Sequence, residues 1–239
     1  MNVNRFRNAS TLELSQENSI WLRYIVRPLS FYVAYVFQRL GFTANGVSYL
    51  SILVAFAAFL FFLLGNRVFV IVGAVLVHMW MLLDCVDGNL ARVSEIKNPY
   101  GEFVDSMSGY TLLGFVFLGL GMVAETEVSW LNRYVGENYF LLLGSIASVS
   151  TLTTRLIFQK FVATGYEIRL STNPGSIRPR GLLNFLEKNV GISGLFMPAM
   201  LLAVLFSYVQ AIVVFYAAYY FAILIICYLR LIFAMKRVG

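Results

Sequence analysis

Asp84, Asp87 and Asp105 are carboxylates set in or beside long apolar runs, within the stretch LDCVDGNLARVSEIKNPYGEFVDSMSG at residues 83–109. An ionisable side chain at membrane depth is costly and marks function by default. A metal, a proton path or a partner cation would justify it, and the spacing favours a metal. On a helix, Asp84, Asp87, Gly88 and Ala91 fall at i, i+3, i+4 and i+7, which is one face. After a break at Asn98-Pro99, Gly101, Asp105 and Gly109 fall at i, i+4 and i+8, again one face. Two helix ends side by side would aim three carboxylates at one hard cation. Mg²⁺ or Mn²⁺, which take oxygen ligands, suit such a set, and Mg²⁺ commonly binds carboxylates together with substrate phosphates.

The elements that must position these residues are membrane spans. The chain has 239 residues, 59% of them hydrophobic and only 13% charged, which is too apolar for a soluble domain. With roughly 20 apolar residues per span, the sequence predicts an all-α integral membrane protein with six transmembrane helices. They fall near 44–64, 68–87, 102–123, 138–160, 190–208 and 212–233. The runs are continuous rather than alternating, which argues against a β-barrel. Residues 1–18 form a polar N-terminal segment, and residues 19–239 form a single membrane domain. Within it, residues 19–40 mix Arg23, Arg27 and Arg39 with aromatic side chains and predict an amphipathic interfacial helix, started or kinked by Pro28 and ended by Gly41. The polar start carries no cleavable signal, so the first span is expected to direct insertion.

Charge sets the expected orientation. With the N-terminus cytoplasmic, only Arg67 and Arg133 of the eighteen Lys and Arg lie in outer loops, as the positive-inside rule requires. The aspartates then face the cytoplasm, in a cytoplasmic membrane. The net charge of +6 reads as topology and contact with the anionic lipid bilayer; no basic and aromatic module points to nucleic acid. Cys85 and Cys227 lack disulfide or zinc spacing. His78, nearly two turns from Asp84 in the interior of the span, reads as packed or hydrogen-bonded. Thr43 or Asn45 is the expected cap of the first span. Loop 124–137, with Glu125, Glu127, Arg133 and Glu137, reads as an ordinary solvated connection. The basic series Arg155, Lys160, Arg169, Arg178 and Arg180 reads as positive-inside charge, or as a pocket for a phosphorylated acceptor or lipid head group.

The aspartate stretch resembles the signature of the CDP-alcohol phosphotransferases: D-x-x-D-G-x-x-A-R, a gap of about eight residues, then G-x-x-x-D-x-x-x-D. Asp84, Asp87, Gly88, Ala91, Arg92, Gly101 and Asp105 match it, and Gly109 stands where the family has its last Asp. The segment TANGVS also resembles the T-P-N-x-x-T/S that opens the first span in this family, with Ala44 in place of Pro. The resemblance implies a membrane transferase in phospholipid or cell-surface polymer synthesis. It would move a substituted phosphate from a CDP-linked alcohol or lipid donor to an acceptor and release CMP. It implies Asp84, Asp87 and Asp105 as metal ligands, with Asp105 also catalytic. Gly88, Ala91, Arg92, Gly101 and Asn45 would border the nucleotide, and the protein would be a homodimer.

In the family the last Asp is the general base and helps bind a second metal, and Gly109 can do neither. Three consequences are open: catalysis with one metal or a metal-bound hydroxide, replacement of the base by Glu102, Ser106 or Ser108, or an anionic acceptor that needs no base. The alternative function is a catalytically lapsed relative that binds a CDP-linked ligand without turnover. A channel or transporter would explain charged helix faces but not the Asp-Gly-Ala-Arg spacing.

Overall fold

A computed structural model describes residues 19–94, 99–127, 134–163 and 189–236. Every regular element among them is helical. A π-helical turn, Leu22–Val26, leads into α1, Arg27–Arg39. Pro28 sits in the first turn of α1, directly after the π-helical turn, and having no N–H it cannot donate to a carbonyl of that turn as Arg27 does to Leu22. Gly41 follows the helix at φ +82°, a left-handed conformation that stops it at little steric cost. Helix α2, Ala44–Leu63, is capped by Thr43, whose Oγ1 accepts the Gly46 N–H at 3.2 Å. Gly65, at φ +66°, turns the chain into α3, Arg67–Ser94. Then come α4, Pro99–Thr126, and α5, Tyr139–Ala163. A second π-helical turn, Ile192–Phe196, precedes α6, Met197–Phe206, and α7 runs over Val209–Lys236.

Helices α2, α3, α4, α5 and α7 are each long and apolar enough to cross a membrane, which makes the chain a multi-pass integral membrane protein. The fifth expected span, 190–208, is a shorter apolar helix, Ile192–Phe206. Hydropathy alone overstated its regularity. The helix is interrupted at Gly194 (φ −112°, ψ −127°), where a Cβ would run into the carbonyl oxygen of Asn189. At 28 residues each, α3 and α4 run about 42 Å, past the roughly 30 Å of a hydrocarbon core. The aspartates lie toward the ends of these two helices, with Asp84 and Asp87 late in α3 and Asp105 early in α4.

Small residues let the helices meet closely, the usual means of association where lipid removes the hydrophobic drive between them. The Phe62 ring of α2 lies 2.8 Å from the positions a Cβ would take at Gly73 of α3 and Gly119 of α4. Helices α4 and α5 touch backbone to backbone at Gly121 and Gly144: a Cβ on Gly144 would meet the Phe117 carbonyl oxygen and come 2.9 Å from Gly121 Cα. Phe117 also anchors an aromatic cluster with Phe196, Tyr216 and Tyr220 that holds α4, the second π-helical turn and α7 together. Helix α1 lies on α3, with Ala34 packed among Val47, Leu83, Val86 and Leu90.

At the end of the bundle remote from the aspartates, acidic side chains close the helix starts. Glu125 accepts the N–H groups of Asn138, Phe140 and Leu141 at 2.9, 3.0 and 3.4 Å, capping α5. Glu127 accepts those of Val209 and Gln210, both at 3.2 Å, capping α7. Gln210 returns its amide N–H groups to the carbonyl oxygens of Ala124 and Glu127. The segment read from sequence as a solvated connection therefore supplies two carboxylates to exposed N–H groups at positive helix ends, where anions are stabilised. Residues 128–133, with Arg133, lie outside the described residues.

Burial pushes the Glu127 carboxyl above its usual range, and the backbone N–H groups of Gln210 and Val209 act in the opposite sense. A raised native pKa means the folded chain holds this proton more tightly than the unfolded chain. The contribution is therefore full below the unfolded pKa and is lost as pH rises through the folded one. Glu127→Gln, which keeps the accepting oxygen without the charge, should reduce the fall in apparent Tm between about pH 4 and pH 7. Gly144→Ala should lower apparent stability by about 1–3 kcal/mol, since the new methyl meets backbone that cannot swing aside. Thermal unfolding of the detergent-solubilised chain, followed by circular dichroism, checks both.

Candidate functional site

The junction between the end of α3 and the start of α4 gathers the predicted residues, and α2 closes it. Asp87 is buried at 4% exposure and accepts a hydrogen bond from Ser48 Oγ of α2 at 2.6 Å. The Gly88 N–H also bonds to it. Asp84 lies within electrostatic range of Asp87 and Asp105, and Arg155 of α5 and Arg27 of α1 are its cationic neighbours. Asp105 is exposed and feels both Arg155 and Glu102. Two chain segments thus bring three carboxylates together in an apolar bundle. Their mutual repulsion is strong in such surroundings and is relieved by cations.

Below Asp87, hydroxyl groups tie α2, α3 and α4 into one unit. Ser51 Oγ donates to the Ser48 carbonyl oxygen at 2.7 Å and pairs with Ser108 Oγ at 2.5 Å. Trp80 Nε1–H donates to Ser108 Oγ at 2.8 Å. Ser108, one of the groups considered from sequence as a substitute base, is buried and held by this ladder. Glu102 and Ser106 instead line a cleft of about 310 Å³ on the neighbouring face of α4, together with Phe103, Met107, Tyr110 and Gln159.

The residues expected to border a nucleotide are distributed around this centre. Because Thr43 caps α2, the Asn45 side chain is turned to Gly101, where a Cβ would stand 2.9 Å from Asn45 Oδ1. Gly88 is covered by the Arg92 guanidinium, 3.3 Å from the position of an added Cβ. Arg92 donates to Asn89 Oδ1 at 2.8 Å, Asn89 donates to Ser30 Oγ at 2.9 Å, and Ser30 donates to the Arg27 carbonyl oxygen at 2.8 Å. This relay joins the motif to α1. Ala91 is exposed at the end of the motif face. Gly109 is buried, and Arg155 Nη1 lies 3.4 Å from where its Cβ would be. His78 is a packed histidine: its Nδ1 bonds the Ala74 carbonyl oxygen at 2.8 Å and its ring meets Trp21 edge-on. Arg169, Arg178 and Arg180 lie outside the described residues.

Sequence reasoning missed Asn89, Ser30 and the placement of Arg155, and it carried Ser48 only as the last position of TANGVS, without a role. The available signal was weak: serines in an apolar helix also read as small packing residues, and Asn89 occupies an unspecified position between Gly88 and Ala91. The carboxylates supply hard, anionic oxygen donors, which fits a divalent cation in kind. Among the described residues no three such side chains converge as closely as bound ligands do. The Ser48 hydroxyl takes one accepting position on Asp87.

Residues 42–166, just over half of the chain, match the CDP-alcohol phosphatidyltransferase family. The protein belongs to this family of membrane transferases, whose members act on CDP-linked alcohols and generally depend on a divalent metal. No curated protein sequence matches the chain. The matched region runs from the start of α2 to the end of α5 and so contains every motif residue and Arg155.

A methyl on Gly101 would stand 2.9 Å from Asn45 Oδ1 and would push the end of that side chain aside. Gly101→Ala should therefore cost about 1.5 kcal/mol or less, and Asn45→Ala in the same chain should recover part of any loss. Thermal unfolding of the two single variants and the double variant measures the coupling; additive effects would mean that the contact is not made.

Proposed function

We propose that the protein transfers a substituted phosphate from a CDP-linked alcohol or lipid to an acceptor at the α3–α4 junction, releasing CMP. The observation that carries this reading is that Asp84, Asp87 and Asp105 lie within electrostatic range of one another across two chain segments, in a member of a CDP-alcohol transferase family. Phosphoryl transfer needs positioning and charge neutralisation more than covalent help from the protein. A bound Mg²⁺ or Mn²⁺ would clamp the pyrophosphate oxygens and offset charge on the departing phosphate.

The side chains have separable roles in this reading. Asp84, Asp87 and Asp105 hold the cation, and Ser48 fixes the orientation of Asp87. Gly88 and Gly101 keep the walls low enough for the nucleotide to approach backbone, with Ala91 at the rim. Asn45 offers an amide to the base or ribose, and Arg92 a guanidinium to phosphate oxygens. The helix before the first span lies along the interface and walls the entrance for a lipid substrate. The excess of basic residues outside the expected outer loops supports a site on the cytoplasmic side, and the homodimer expected from the resemblance belongs to the same reading.

Purified full-length chain in nanodiscs, given Mg²⁺ and a panel of CDP-linked donors and acceptors, should release CMP. Chelation by EDTA should abolish release, and Asp105→Asn should reduce it by roughly two orders of magnitude. Mg²⁺-dependent nucleotide binding without release from any donor would favour a lapsed relative, a reading prompted by Gly109. Absence of both binding and release would refute the transferase reading.

A further inference from the structure

The motif arginine is held through a buried amide that belongs to no motif position. Asn89 is fully buried where α3 meets α1, and so is Ser30 of α1. Arg92 has only donors, so the Asn89 oxygen must face it, and Nη2 donates to Oδ1 at 2.8 Å. That fixes the amide, because turned over its NH₂ would oppose the guanidinium. Nδ2 is thereby aimed at Ser30 Oγ, 2.9 Å away. Ser30 spends its single proton on the Arg27 carbonyl oxygen at 2.8 Å. Each donor in this line points from α3 toward α1, and reversing any member leaves a buried group unpaired.

One end of the line lies at the site. Both terminal nitrogens of Arg92 stand 3.3 Å from where a Gly88 Cβ would be, so the guanidinium covers the glycine next to Asp87. Asn89 and Arg92 are three residues apart on α3, close enough for the amide to reach the guanidinium from the preceding turn. The other end is anchored. Helix α1 packs on α3 through Ala34. The chain leading into α1 is tied down as well: the Ile20 N–H meets Asn189 Oδ1 at 3.0 Å, and Ser19 Oγ donates to the Ser193 carbonyl oxygen. A buried amide and hydroxyl are costly unless paired, and an apolar pair would dock α1 on α3 without that demand. What the polar line adds to docking is a fixed direction for a charged side chain.

We propose that Asn89 and Ser30 are positioning residues for the donor nucleotide: they hold the Arg92 guanidinium over Gly88, ready for phosphate oxygens of a CDP-linked donor. The inference rests on the transferase reading above and adds to it two residues outside the motif positions, one of them on the helix before the first span. A guanidinium has five N–H donors, of which Asn89 takes one, and its planar fork suits two oxygens of a phosphate. An arginine loses rotamer freedom when it binds, and one already held loses less. Helix α1 therefore contributes to nucleotide affinity without touching the nucleotide.

The test is a double-mutant cycle on equilibrium binding of radiolabelled CDP to full-length chain in nanodiscs with Mn²⁺. Binding of Mn²⁺ alone is followed on the same samples by electron paramagnetic resonance. Ser30→Ala and Asn89→Ala should each weaken CDP binding by about two- to ten-fold, the span of one ordinary hydrogen bond. Mn²⁺ binding, which the transferase reading assigns to the aspartates, should be unchanged. Ser30→Ala, the smaller change, decides if Asn89→Ala does not fold. In chain that already carries Arg92→Ala, Ser30→Ala should weaken CDP binding no further, whereas general damage to the bundle would cost the same factor in both backgrounds. If Arg92→Ala leaves too little CDP binding to compare, the Mn²⁺ readout decides. Loss of CDP with Mn²⁺ binding intact supports positioning, and equal loss of both overturns it. CDP binding undisturbed by Ser30→Ala or by Arg92→Ala would overturn this inference alone, as would equal losses with and without Arg92. Wild type that binds no CDP or no Mn²⁺ would overturn the transferase reading itself.

Discussion

Negative charge held inside an apolar bundle is the constraint on which the rest of the structure turns. In lipid-like surroundings two neighbouring carboxylates repel strongly, and each loses solvation. The chain meets this with three devices. Ser48 donates to the most buried carboxylate, Asp87. Arg27 and Arg155 bring positive charge from α1 and α5 toward Asp84. Asp87 stands in the last third of α3 and Asp105 in the first third of α4, helices longer than a hydrocarbon core. The part of the repulsion that these leave is what a divalent cation would relieve.

The two ends of the bundle use acidic side chains in opposite ways. At one end, Glu125 and Glu127 are spent on the N–H groups of helix starts. Such carboxylates are structural, because their lone pairs are already committed to backbone donors. At the other end, Asp105 is exposed and Asp84 is surrounded by charges rather than fixed by backbone donors. Accepting capacity is left over there, and a ligand can use it. The hydroxyl ladder from Ser48 to Trp80 holds the three motif helices in place while that capacity stays free.

Much of this was legible in the amino-acid sequence, and the unreadable parts share a cause. The aspartate face of α3, the matching face of α4 and the break between them follow from helical periodicity and one Asn-Pro pair. Thr43 and Asn45 were equal candidates for one cap; once Thr43 takes it, Asn45 is available to Gly101. The partner of Asp87, by contrast, lies 39 residues away on another helix, and no local pattern specifies that distance. The acidic caps escaped notice because Glu125 and Glu127 serve helices that begin well beyond them. The overextended fifth span arose because hydropathy does not register the break at Gly194. Arg155 was readable as one of several cations, but its placement over Gly109 depends on how α4 crosses α5.

That crossing has a mechanical consequence. Where Gly121 and Gly144 touch, backbone meets backbone with no side chain to absorb a displacement. The contact is a fulcrum, and the portions of α4 and α5 that reach the site are arms roughly 17 Å long. A small change of angle there swings the Arg155 guanidinium sideways across Gly109 by an amount that grows with arm length. Residues far from the aspartates can therefore tune the gap between the guanidinium and the carboxylates.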